Sequence, residues 1–388
     1  MFIFITYLLC IYKALFMRHL NIISLLFSIM VISCKSAEKN ADKTAFQKLD
    51  SLFNSQYPAN EPGATVLILR GDSVLFEKGY GIADMEKMTP ANGETFWNIA
   101  SVSKQFSGVA LMMLAEEGKL SLDDNVKRWF PHFKASFYEK ITLRHLLSHT
   151  SGIPDSRDRS DRTFVTTATD TVSYNYLENL EKLNFEPGTS YEYMNPTFQL
   201  MYTIIEKASG MKFDDFMRTR IFDPAGMKES VYFEADRVIP RMAHGYLKNS
   251  DSTGFMQYDY GEESFFATKA DGGLYTSVRE FVQWEKALRN NLLISEETLK
   301  MAQSPKISIS DMPGHSYGYG WFIEQKTGYP DKIYHTGDNG GFQIYAARYP
   351  EQQILILIFS NRNDRKREEN ALRTDEILKE AGWFDKKR

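Results

Sequence analysis

Strand-patterned runs sit at both ends of this 388-residue chain, with a long stretch of helical spacing and loops between them. Near the start, Ala64–Arg70 and Ser73–Tyr80 are rich in β-branched, Leu and aromatic residues, and only Gly71-Asp72 separates them. Two residues of turn chemistry between such runs predict a hairpin. Near the other end, Tyr317–Glu324, Lys332–His335, Phe342–Tyr349 and Gln353–Ser360 read as further strands, punctuated by Gly and Pro. A terminal helix near Glu369–Ala381 is expected to stop at Gly382. Ala45 to Gln56 has helical spacing, with Phe46, Leu49, Leu52 and Phe53 on one face. From Lys104 to Glu117, Phe106, Val109, Ala110, Met113 and Leu114 keep an apolar stripe until Gly118 ends it. The arrangement predicts an α/β chain of the α+β type. One antiparallel sheet is built from N- and C-terminal segments (about 45–103 and 270–388) and flanked by helices, with a mostly helical region over about 104–269 inserted.

Composition narrows the class. Apolar residues are 43% of the chain and charged ones 25%, which supports a large core rather than disorder. The net charge of −4 comes without any long basic block, so nucleic acid has no electrostatic support as a partner. The two cysteines, Cys10 and Cys34, both stand near the N-terminus, which leaves the body without a disulfide framework or thiolate metal site. The seven histidines show no metal-ligand spacing, so no metal site is predicted. Residues 1–33 read as a leader: Arg18 and His19 precede an uncharged stretch from Leu20 to Ser33 that is short for a spanning helix. Met17 is well placed as the true start. Val31-Ile32-Ser33-Cys34 resembles a bacterial lipobox, which implies lipidation of Cys34 and an exported protein tethered at a bacterial membrane, facing the periplasm. Residues 34–44 then form a flexible spacer, and 45–388 the folded body.

Among short motifs, no G-x-S-x-G elbow, phosphate loop or H-E-x-x-H is present, and Gly79-Tyr80-Gly81 lacks the third glycine of a dinucleotide fingerprint. Ser101-Val102-Ser103-Lys104 opens the amphipathic helix, setting Ser101 and Lys104 one turn apart on one face. A serine hydroxyl becomes nucleophilic when a nearby base or cation helps remove its proton. Ser36–Lys39 and Ser209–Lys212 match the same spacing, but the first lies in the spacer and the second at a helix end. Tyr193-Met194-Asn195 precedes a helical run; a phenol beside an ammonium can act as general base, and the amide two residues on can hold a substrate carbonyl or the lysine. His335-Thr336-Gly337 closes a predicted strand and leads into Asp338 and Phe342.

Taken in order, these three motifs resemble the serine β-lactamase-like and penicillin-binding-protein-like hydrolases, in the branch of class C β-lactamases, D-alanyl carboxypeptidases and related esterases. The segments Ile141–Pro154, Asp271–Ser277 and Tyr317–Trp321 resemble that family too, so the likeness covers about residues 60–365. It implies a β-lactamase/transpeptidase-like fold and an acyl-enzyme route without metal or organic cofactor. Ser101 would attack an ester or amide carbonyl while Lys104 and Tyr193 share the proton work. Backbone N–H groups of Ser101 and Asp338 would hold the oxyanion, and Asn195, His335 and Gly337 complete the substrate side. A literal Lys326-Thr327-Gly328 competes for the third motif, but it reads as a hairpin turn. His335 in place of a lysine favours an esterase or peptidase over a lactamase, because imidazole is mostly neutral near pH 7 and a poor partner for a substrate carboxylate. His145 and His149 flank Leu146-Leu147 and, by the likeness, organise a loop. The expected partner is a small ester or peptide, with cell-wall material among the candidates. Loops Ser156–Thr171 and Tyr246–Phe265 would set specificity. A true lactamase or carboxypeptidase, and a non-catalytic cell-wall-binding protein, are the alternatives.

Overall fold

The computed structural model describes residues 40–155, 169–234, 237–251, 254–258, 268–364 and 366–385. The expected leader, the start at Met17 and Cys34 lie outside these residues, as do large parts of both specificity loops. Among the described residues no helix is long and apolar enough to cross a membrane.

The hairpin expected at Gly71-Asp72 is present: β1 (Ala64–Arg70) and β2 (Ser73–Tyr80) pair antiparallel, and Gly71 takes a φ of +58° at the turn. The C-terminal part supplies β3 (Ile307–Ser308), β4 (His315–Tyr317), β5 (Phe322–Glu324), β6 (Lys332–Asn339), β7 (Phe342–Tyr349) and β8 (Ile354–Ser360). Together they form one eight-stranded sheet in the order β3-β4-β5-β6-β7-β8-β1-β2, antiparallel throughout. β1 lies against β8, with Val66 opposite Ile358, so the N- and C-terminal strand segments meet inside the sheet, with only β2 beyond β1. β8 is buried at every position, which explains its unbroken apolar run in place of alternation.

Two sequence expectations are corrected here. The run Tyr317–Glu324 is not one strand; it folds back on itself so that Tyr317 pairs with Phe322 across β4 and β5. Gly320 permits the reversal with a φ of +92°, a conformation that L side chains disfavour. Residues 40–44, expected as part of a spacer, belong instead to helix α1, which occupies 40–56.

Between the sheet segments stand α2 (Lys104–Glu116), α3 (Asn195–Ser209) and α4 (Val278–Arg289), and α5 (Arg367–Glu380) follows β8. The stripe on α2 understates its burial, since every residue from Lys104 to Leu114 is buried. An all-round buried helix tolerates polar residues only when each finds a partner. Gln105 accepts from the Trp284 indole at 2.8 Å, Ser107 donates to the Ala270 carbonyl at 2.6 Å, and Lys104 belongs to the site below. A short sheet of Trp97–Asn98, Leu274–Thr276 and Val231–Tyr232 brings the segment before α2 beside the 270–276 loop.

By their internal contacts the chain divides into residues 53–372 and a smaller unit of 1–52 with 373–388. Within the described part of the smaller unit, Phe46 packs edge-on to Trp383 with centroids 5.9 Å apart, and Lys48 pairs with Glu380 at 2.6 Å.

One buried ion pair joins α4 to the sheet: Arg348 on β7 contacts Glu285 at 3.0 Å and Gln303 at 3.0 Å. Both charged side chains are more than nine-tenths buried. Glu285→Ala leaves the guanidinium uncompensated, and urea unfolding should register a loss of about 3–5 kcal/mol. Replacing both partners with apolar residues of similar volume should restore most of it.

Candidate active site

The nucleophile candidate sits on a locally enforced turn. The Asn98 side chain accepts the Ala100 N–H at 2.9 Å, and the Ile99 N–H donates to the Leu274 carbonyl at 2.9 Å. Ala100 is held at φ +47°, a position sparsely populated by residues with a Cβ. The next residue is Ser101, part-buried within a 3-10 turn over Ala100–Ser103 that runs directly into α2.

Lys104 opens α2 and is fully buried. Its ammonium donates to Ser101 Oγ at 2.9 Å, Asn195 Oδ1 at 2.7 Å and the Asp271 carbonyl at 2.8 Å. Asn195 is the first residue of α3, where Pro196 is tolerated because first-turn N–H groups have no helical partner. Its amide therefore holds the lysine, one of the two roles open to it from sequence. Tyr193 lies just before that helix, with its ring centroid 5.1 Å from Lys104 Nζ. Serine, lysine, phenol and amide thus come together from two separate segments, 101–104 and 193–195.

The third motif behaves differently from expectation. His335 on β6 is 1% exposed, and both ring nitrogens are engaged inside the protein. Nδ1 donates to the Thr336 carbonyl at 2.7 Å, which leaves Nε2 to accept from the Tyr317 hydroxyl at 2.9 Å. Direct substrate contact by this side chain, expected from its motif position, is therefore replaced by orientation of Tyr317. Burial, reinforced by the nearby Lys104 charge, pushes the His335 pKa down to about 3.

Gly337 explains why the strand can pass so close. A Cβ there would stand 2.4 Å from the Ile99 carbonyl oxygen and 3.0 Å from the Ala100 Cβ. Its role is steric clearance for the Ser101 turn, and it sets Asp338 one step further along the same strand. The Arg367 guanidinium donates to the Gly337 carbonyl at 2.7 Å and fixes this part of β6 from the other side. The Asp338 side chain is exposed and accepts from Gln343 at 3.4 Å. Residues 335–339 run past the end of β5, whose pairing with β6 covers only 332–334.

Lys326 lies on the exposed turn between β5 and β6, with Gly328 at φ +78° and its ammonium over the Tyr329 ring. Sequence reasoning missed the Asp271 carbonyl and the carboxyl beneath it. Asp170 accepts the backbone N–H groups of Lys269 and Ala270 at 2.7 and 3.1 Å and so braces the loop that presents that carbonyl. Burial, with the Asp271 charge adding to it, raises the Asp170 pKa to about 8. In the sequence the segment Asp271–Ser277 stands out for its family likeness, but a backbone acceptor leaves no mark on residue type.

Two measurements follow from this geometry. Gly337→Ala should leave cooperative melting intact yet slow the reaction of Ser101 with a fluorophosphonate by roughly 10- to 100-fold, since displacement of a reacting group by about 1 Å has effects of that size. The second concerns pH. With a folded pKa of about 3 against an ordinary 6.5, His335 binds its proton more readily in the unfolded chain. Its contribution to stability is full above about pH 6.5 and declines as pH falls toward about 3. His335→Gln should flatten the pH dependence of urea unfolding across that window.

The Beta-lactamase family model matches residues 53–379. Penicillin-binding protein 4* of Bacillus subtilis (strain 168) is 30% identical over 339 residues, covering 84% of this chain and 73% of that protein. Among solved structures, the octameric penicillin-binding protein homologue from Pyrococcus abyssi superposes with a TM-score of 0.76 at 26% identity, covering 88% of this chain and 77% of that one. D-amino acid amidase from Ochrobactrum anthropi SV3 shares the fold, with a TM-score of 0.73 at 22% identity over 89% of this chain and 99% of that one. By sequence, fold and the order of its motifs, the chain belongs to the beta-lactamase family of penicillin-binding-protein-like serine hydrolases.

Proposed function

We propose that this protein cleaves an ester or amide bond through an acyl-enzyme on Ser101, as an esterase or D-amino-acid peptidase. The observation that carries the reading is the 2.9 Å hydrogen bond between the Lys104 ammonium and Ser101 Oγ, with Asn195 holding the same ammonium at 2.7 Å. Ser101 Oγ attacks the carbonyl carbon, and its proton passes by way of Lys104 and Tyr193 to the departing alcohol or amine. Water then attacks the acyl carbon as its proton passes through Tyr193 to Ser101 Oγ, which releases the acid and restores the serine hydroxyl. The Ser101 and Asp338 backbone N–H groups stabilise the oxyanion in both steps.

The neutral, enclosed His335 supports a substrate without a recognised carboxylate, because this motif contributes no ammonium to the pocket. The fold shared with a D-amino acid amidase supports amides beside esters. The lipobox-like order before Cys34 supports export and a lipid tether, which would bring the domain to cell-wall-derived material. Lactamase and D-alanyl carboxypeptidase activities are separable outcomes of the same assay.

Mass spectrometry after fluorophosphonate treatment should find one covalent adduct, on Ser101. Short p-nitrophenyl esters or D-amino-acid amides should turn over faster than nitrocefin, and Ser101→Ala should lower that turnover by at least about 1000-fold. Ester turnover unchanged in Ser101→Ala would overturn Ser101 as the nucleophile, and the absence of both adduct and turnover would overturn the proposal in favour of a non-catalytic binding protein. Preferred nitrocefin hydrolysis would make the protein a lactamase.

A further inference from the structure

His149 carries more than the loop-organising role implied by its neighbours. It follows the short helix Leu143–Leu147, is fully buried, and takes a φ of +55°. In that conformation its carbonyl accepts the Glu192 N–H at 3.0 Å while its ring Nδ1 accepts the Met194 N–H at 3.2 Å. Tyr193 lies between those two residues. The imidazole also packs on the Tyr193 ring, with centroids 4.3 Å apart, and on Tyr317 at 4.8 Å.

Because Nδ1 accepts an N–H, the ring proton resides on Nε2. Nε2 is buried and has no hydrogen-bond acceptor among the described residues. Burial, with the Lys104 charge adding to it, holds the ring well below the usual histidine range, so Nδ1 remains an acceptor at neutral pH. A position needed only for packing gains nothing from these features. Glycine would adopt a φ of +55° without strain, and an aliphatic side chain would avoid the buried N–H. Histidine incurs both costs, and its return is the ring's hold on the Met194 N–H, which adds to the main-chain bond from Glu192 on the other side of Tyr193.

We infer that His149 is a positioning residue for the reaction, fixing where the Tyr193 phenol stands relative to Lys104 by clamping the 192–194 backbone and backing the Tyr193 ring. The inference rests on the proposed role of Tyr193 in proton transfer.

The test uses the full chain with a p-nitrophenyl ester and compares His149→Phe, His149→Asn, Tyr193→Phe and the double variant His149→Phe/Tyr193→Phe. Phenylalanine keeps ring volume and loses the acceptor; asparagine keeps an acceptor oxygen and accepts left-handed φ readily. His149→Phe should lower kcat by about 100-fold with KM within about threefold of the parent, and His149→Asn should recover about tenfold of that. In the Tyr193→Phe background, His149→Phe should cost nothing further, whereas a merely structural defect would add to it. Thermal melting checks that each variant is folded, and His149→Gly replaces His149→Phe if the latter does not melt cooperatively. The inference is overturned if His149→Phe stays within threefold of parental kcat while Tyr193→Phe is slow, or if its loss persists undiminished in the double variant. A fully active Tyr193→Phe would instead remove the proton-transfer role itself, and the inference with it.

Discussion

A single buried ammonium organises the candidate site of this molecule. Lys104 lies inside the protein on a helix whose first three turns are buried on all sides, and a cation there is tolerated only when its N–H groups find oxygen acceptors. Those acceptors come from Ser101 one turn away, from Asn195 at a separation of 91 residues, and from the Asp271 carbonyl at a separation of 167. Satisfying one charge therefore ties together the Ser101 turn, the start of α3 and the loop before Leu274–Thr276. The same charge adds to burial in keeping His149 and His335 unprotonated, so the two imidazoles nearest the site act through hydrogen bonds and ring packing.

The sheet supplies the other constraint. Because β1 pairs with β8 inside the sheet, the strands that follow β5 are laid down at a fixed position relative to the N-terminal hairpin and the turn leading into α2. β6 then passes the Ser101 turn at a distance only glycine permits. Arg367 from α5 anchors the Gly337 carbonyl, and Asn98 anchors Ala100 on the facing segment. The position of the Ser101 turn is thus set by two backbones held from behind, as a site built on rigid elements requires.

Much of this was legible beforehand, for identifiable reasons. The hairpin at Gly71-Asp72, the run Phe342–Tyr349 and the helix after Ser103 have strong local patterns, and each stands where the pattern puts it. Tyr317–Glu324 misled because its residues favour strand throughout, and only the approach of Gly318 to the Ala302 carbonyl, with Gly320 in a positive-φ conformation, shows why the chain reverses. His335 was identified as part of the site, but its inward hydrogen bonding was not, since nothing in residue type tells whether a polar side chain faces substrate or a buried tyrosine.

Residue order alone determined which side chains are available: a serine, lysine, tyrosine and asparagine in two spaced motifs, a third motif with imidazole in place of an ammonium, and terminal strands obliged by their apolar runs to share a sheet. Tertiary structure alone decided that Lys104 is held by the Asp271 carbonyl, that Gly337 provides clearance for Ala100, and that His149 grips the backbone around Tyr193. The physical reason is that local patterns encode periodicity and side-chain chemistry. Backbone acceptors, close approaches and ring contacts depend on which distant segments meet, and that emerges only when the core is packed.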